Sequence, residues 1–180
     1  MSPLFTAQSG SPLEVNLSGG GTSNCQSFGE SNCSSDSTYE NAVLTSKYTA
    51  GNSLHDNVTS TTSVASAGNP AKGGSGLNIF GDPNAVYGQF RRLIPGVDHT
   101  SGGTGTLRNL PTWNLDMAIA KDFKVSEQIG VTFNAQFSNM MNHFQAGVPG
   151  LNIDSPTSFG VITTLANTPR QIEFGLWVRF

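Results

Sequence analysis

The sequence is short of charge. Asp, Glu, Lys and Arg make up 12% of its 180 residues, about half the share of an average soluble domain. Its nine Lys and Arg are scattered and the net charge is −3, which speaks against a nucleic-acid partner because such a partner needs a basic patch. Long apolar runs are also missing, so no helix is expected to span a membrane. The opening "MSPLFTAQSGSPLEV" has neither a basic start nor a continuous apolar stretch, so it is not expected to act as a signal peptide. On that reading the protein is cytoplasmic, or its true N-terminus lies upstream of Met1.

Cysteine and histidine are equally sparse. Cys25 and Cys33 lie in "NCQSFGESNC" with no His beside them, a poor zinc site. They could close a disulfide loop worth about 2–3 kcal/mol, or stay as two free thiols, and the redox compartment decides between these. His55, His99 and His143 are far apart in sequence and are expected to cap or solvate loops rather than bind metal. The nucleophile elbow G-x-S-x-G is absent, since "GGSGL" departs at its last position. "GNPAKGGSG" lacks the order of a phosphate-cradling loop, and no acidic pair recurs at a glycosidase-like spacing. No catalytic, cofactor-binding or metal-binding residue is expected, and the protein is not read as an enzyme.

What is present comes in two textures. From about 18 to 110 the chain is dominated by Gly, Ser, Thr and Asn, broken by "ENAVLTSKYTA" and "LNIFGDPNAVYGQFRRLIPG". So long a stretch without periodicity predicts a long surface loop, partly disordered, and not a compact domain. The 11 Phe, most of them in the second half, argue against disorder of the whole chain.

From Trp113 the pattern changes to strict alternation. Trp113, Leu115, Met117, Ile119 and Phe123 share one parity, interrupted by Lys121. Ile129, Val131, Phe133, Ala135 and Phe137 repeat the pattern, as do Ile172, Phe174, Leu176, Val178 and Phe180. The period predicts three strands, at 113–123, 129–139 and 170–180. Each is about the 9–11 residues that a tilted strand needs to cross a bilayer, and longer than the usual globular strand. The opposite parity carries small and polar side chains. Asn114, Asp116, Asn134 and Gln136 are thereby candidates to face a wet lumen, with Asp116 able to bind solute or to bond a neighbouring strand. Trp177 also falls on that parity, an exception that the alternation does not explain.

Two architectures fit: a membrane β-barrel, and a half-exposed antiparallel sheet in a soluble sandwich. Connection lengths bear on the choice. "KVSEQ" is a short turn, whereas the connections on the other side are long, matching the short periplasmic turns and long external loops of outer-membrane barrels.

The residues "GTLRNLPTWNLDMAIAKDFKVSEQIGVTFNAQFSNMMNHF" and "SFGVITTLANTPRQIEFGLWVRF" resemble the C-terminal end of TonB-dependent outer-membrane receptors. The nearest branch is the Oar-like one, often fused to a carboxypeptidase-regulatory-like domain. The resemblance rests on Arg108, Asn109 and Pro111, on Lys121–Asp122–Phe123, on "FSNMMNHF" from Phe137, on "FGVIT" from Phe159 and on "NTPRQI". "SGSPLEV" resembles the end of an earlier ascending strand.

The resemblance implies an all-β antiparallel meander from the end of a large transmembrane barrel, in three parts. Residues 1–17 would end an upstream strand, 18–112 would form a long extracellular loop region, and 113–180 would hold the last three strands. Ile172, Phe174, Leu176, Val178 and Phe180 would face lipid and form the signal read by the barrel-assembly machinery. Other implied partners are outer-membrane lipid, the remainder of the barrel with its plug, the TonB complex through a missing N-terminal part, and an unidentified solute. Siderophores, oligosaccharides and peptides are all candidates. The family's plug, TonB box and roughly 22 strands are not in these residues, so the chain is expected to be a fragment, inactive alone. A secreted or cell-surface β-rich adhesion or binding module is the alternative.

Overall fold

A computed structural model describes residues 1–17, 42–46, 48, 51, 53–60, 62–92 and 107–180. Cys25, Cys33 and His99 lie outside the described residues, and the disulfide reading lies there with them. The described strands are β1 (Ser2–Gln8), β2 (Pro12–Leu13), β3 (Val43–Leu44), β4 (Phe90–Arg91), β5 (Leu107–Arg108), β6 (Thr112–Lys124), β7 (Gly130–Ser138) and β8 (Gln171–Arg179), with one short helix α1 (Pro83–Tyr87). They fall into two units, 1–9 with 111–146 and 165–180, and 10–110 with 147–164.

The first unit is an antiparallel sheet in the order β1-β6-β7-β8. The three period-two segments are β6, β7 and β8, with every end within one residue of the position read from the pattern. Register keeps like with like: Met117 faces Phe137 and Phe137 faces Ile172, and Ile119, Ala135 and Phe174 form the next such row. Because successive side chains point to opposite faces, this register puts the large apolar side chains of β6, β7 and β8, Trp177 excepted, on one side. Phe174 ties the side together, stacked on Phe133 at 6.0 Å and edge-on to Phe137 at 6.5 Å. At the tight turn, the backbone N–H groups of Val125 and Ser126 both donate to the Ile129 carbonyl, at 3.0 and 3.1 Å. Ser126 Oγ accepts from Gln128 N–H at 3.2 Å.

β1 corrects the sequence reading at the N-terminus. The upstream strand does not run through 17, and "SGSPLEV" is not its end. The strand is Ser2–Gln8, paired antiparallel with β6 from Ser2 opposite Ala118 to Gln8 opposite Thr112. Leu4 on the polar parity spoils the alternation that would have revealed it, and Pro3 is tolerated because β1 is an edge of the described sheet. Residues 10–17 belong instead to the second unit. Gly10 runs hard against the chain at Asn109, where an added Cβ would lie 1.7 Å from the carbonyl oxygen. β2 then pairs with β5, and Asn109 N–H donates to the Ser11 carbonyl at 2.8 Å.

The second unit has a core, which the texture of 18–110 did not suggest. Val15, Leu17, Ile79, Phe80, Leu107, Phe159 and Ile162 are all buried. Phe159 stacks on Phe80 at 5.7 Å and meets Tyr87 edge-on at 5.2 Å, while Tyr87 OH donates to the Ile153 carbonyl at 2.7 Å. Buried Asn78 is satisfied twice: Oδ1 accepts from Phe80 N–H at 2.8 Å and Nδ2 donates to the Phe159 carbonyl at 3.3 Å. Gly160 makes this possible. Its φ of +76° suits glycine, and a Cβ there would lie 2.3 Å from Asn78 Oδ1. Helix α1 is started by Asp82, whose carboxylate accepts from Ala85 N–H at 3.0 Å, with Pro83 at its first turn. The apolar residues reach this core singly or in pairs from distant stretches, so it needs no sequence period. A long loop reading based on missing periodicity therefore overlooked it.

Candidate functional site

Asn114, Asp116, Asn134 and Gln136 all project from the face of the sheet opposite Ile172, Phe174, Leu176 and Val178. They do not form one cluster. Asn134 sits opposite Ala120 and Gly175, and Gln136 opposite Ala118 and Glu173. Asn114 and Asp116 lie nearer the other end of β6, opposite Thr6 and Leu4 of β1. That is the end from which the long connections leave.

Of the two roles open to Asp116, the structure shows the structural one. Its Oδ1 accepts from Asn114 Nδ2 and from the backbone N–H of Asn139, both at 2.8 Å. The carboxylate thus holds the end of β7 against β6. Asn114 Oδ1 is left buried without a hydrogen-bond partner among the described residues.

Beside it opens a cleft of about 310 Å³, lined by Thr6, Gln8, Thr112, Asn114 and Gln145. Gln145 is anchored by its Nε2, which donates to the Trp113 carbonyl at 2.6 Å. Hydroxyls and amides without a net charge can orient a polar solute by hydrogen bonds. They offer no nucleophile activated by a base and no acid–base pair.

Gln145 and the asparagines that position it were not singled out from the sequence. The repeated Asn of "NMMNHF" was the available signal. Asn139 and Asn142 both have φ near +50°, a conformation Asn tolerates better than most residues. Asn139 Oδ1 accepts from His143 N–H at 2.8 Å and its Nδ2 donates to the Thr168 carbonyl at 3.1 Å. Asn142 Oδ1 accepts from Arg170 N–H at 3.0 Å, and Asn167 Nδ2 donates to the His143 carbonyl at 2.7 Å. These bonds tie "NMMNHF" to "NTPRQI", so both stretches shape loops. His143 also packs its ring on Trp113, 3.9 Å between centroids.

Trp177 has a partner that the pattern could not show. Its ring lies over Gly175, where an added Cβ would come within 2.7 Å of it. The indole covers the bare backbone of a strand glycine, as aromatic neighbours do elsewhere in sheets.

The other face is apolar and open. Phe174 and Leu176 are 66% and 65% exposed, far more than a half-exposed soluble sheet would leave on its core side. Trp113 and Phe123 stand ten positions apart on this face of β6. That is about 33 Å along a strand, or about 25 Å once tilted as barrel strands are, the height of an outer-membrane apolar band with its aromatic girdles. Residues 1–173 match the family model of the outer membrane beta barrel domain. The chain belongs to that family. No curated protein and no solved structure matches it.

An outer membrane beta barrel domain resides in the bacterial outer membrane, which replaces the cytoplasmic reading and the soluble sandwich. Among the described residues no helix is long and apolar enough to cross a membrane, and this family crosses with strands. Its short turns face the periplasm and its long connections the exterior. In that frame 125–129 is the periplasmic turn.

Proposed function

We propose that this outer membrane beta barrel domain forms part of the wall of a TonB-dependent transporter of the Oar-like, carboxypeptidase-regulatory-like branch. It would serve the uptake of a solute still to be identified. The observation that carries the reading is the two-faced sheet: an apolar face, most open along β8, backed by a small and polar face with an uncharged cleft at its outer end. Ile172, Phe174, Leu176 and Val178 contact lipid, and Asn114, Asn134 and Gln136 line the water-filled side. β8, with Phe180 beyond it, engages the barrel-assembly machinery.

The four strands of the described sheet do not enclose a lumen by themselves, since the smallest membrane barrels have eight. In lipid, an open edge costs several kcal/mol for each unpaired backbone group. On this reading the four-stranded sheet contributes wall to a larger closed barrel. Solute is held at the external end and released inward when the TonB complex moves the plug. The work is binding and passage, with no covalent step.

Disruption of the gene in its host tests the reading. Energised uptake of an iron–siderophore complex, an oligosaccharide or a peptide should fall, and a protonophore should mimic the loss. Gln145→Ala should raise the half-saturating concentration for that solute several-fold and leave maximal uptake nearly unchanged, as loss of a uniform binding contact does. Reduced surface attachment with all three uptakes intact would favour the adhesion module instead.

A further inference from the structure

Lys121 is the only charged side chain on the apolar face of the described sheet, in register with Phe133 and Leu176. A cation on a barrel's lipid face is costly at the bilayer centre and nearly free at the interface. Lys121 lies two positions from Phe123, the aromatic that ends the apolar band on the turn side. That is about 7 Å along the strand, or about 5 Å along the membrane normal at barrel tilt, a distance a lysine stem can span while its head reaches polar surroundings. The side chain has turned that way. Its Nζ lies 5.2 Å from the centre of the Phe123 ring, within cation–π reach.

The acidic residue next to it in sequence, Asp122, does not face it. Asp122 projects from the opposite face and accepts from Thr132 Oγ1. Lys124 and Arg179, in register with Gly130, also belong to that opposite face. The ammonium of Lys121 is thus aimed at the lipid headgroups on the turn side, and those of the periplasmic leaflet carry phosphate.

We propose that Lys121 is a binding site for the phosphate of an anionic phospholipid in the periplasmic leaflet, and that it fixes the depth of the sheet in the membrane. This rests on membership of the barrel family and is independent of the transport reading.

The test uses the assembled protein extracted from outer membranes and stripped of lipid. Phosphatidylglycerol, phosphatidylcholine and inorganic phosphate are added in separate arms, and retained lipid is measured by native mass spectrometry. The wild type should retain phosphatidylglycerol, Lys121→Met should weaken retention about fivefold, the share of one basic residue at a membrane surface, and Lys121→Arg should preserve it. Inorganic phosphate should neither bind nor compete. Acetylation of Lys121 in the wild-type protein, which needs no variant, should be slowed by phosphatidylglycerol and not by phosphatidylcholine. Equal retention by Lys121→Met, unchanged acetylation, or displacement of the lipid by inorganic phosphate would overturn the proposal.

Discussion

Phe159→Ala should destabilise the second unit by about 3–5 kcal/mol, the range for removing a buried aromatic from a packed core. Phe159 is fully buried. It is the ring against which Phe80 stacks and Tyr87 sets its edge. Its carbonyl takes a hydrogen bond from Asn78 Nδ2, so a backbone that shifts into the cavity also disturbs the buried side chain that accepts from Phe80 N–H. The change reads out in amide hydrogen exchange of the full chain. Protection at Ile79, Phe80, Val161 and Ile162 should fall by several orders of magnitude, and Phe159→Leu should cause a smaller loss. Unchanged protection at these amides would mean that the unit has no cooperative core around Phe159.

Phe174→Arg should cost about 2–4 kcal/mol of membrane stability, the midplane value for a cation on a barrel's lipid face. Phe174 stands five positions from Arg179 on β8. With the strand tilted, that is about 13 Å, or half of an apolar band about 25 Å tall. The variant also gives up the ring contacts with Phe133 and Phe137. Leu176→Arg should cost less, because Leu176 lies nearer the turn end and in the row of Lys121, which already carries a cation. Heat-modifiable migration after urea titration of outer-membrane fractions compares the two. Equal loss from both would place the Lys121 row at the bilayer centre and remove its snorkelling role.

The strands that showed in the sequence did so because each has one face in apolar surroundings and one in polar ones. Alternation is a local property, and β6, β7 and β8 carry it without interruption except at Lys121 and Trp177. β1 shows no such pattern. Pro3, Phe5 and Ala7 share its apolar side, but Leu4 sits on the other, so it is identified only by its pairing with β6. The second unit is hidden for a different reason. Val15, Phe80 and Phe159 meet in one core from separate stretches, and neither period nor spacing records that meeting.

The faces of Asn114 and Asp116 followed from parity, whereas the partner of Asp116 did not. Asn139 reaches it only because the chain turns at positive φ as it leaves β7. Gln145 belongs with this class. Its place depends on a loop conformation held by Asn139, Asn142 and Asn167, each an ordinary polar residue when read alone. The role of Trp177 turned on the residue two before it. Only a glycine at 175 leaves room for the ring to lie over the backbone.

The central claim is that one face of this sheet meets lipid and the other meets water. A nitroxide scan of β8 in intact outer membranes tests it most directly, with single cysteines placed from Ile172 to Val178 in a full chain whose own Cys25 and Cys33 are replaced by serine. Collision with oxygen, which dissolves in lipid, should be high at Ile172, Phe174, Leu176 and Val178. Collision with a water-soluble nickel chelate should be low there. At Glu173, Gly175 and Trp177 oxygen collision should drop, giving a period of two across the strand. Nickel accessibility at both parities, with no oxygen-rich face, would contradict the account.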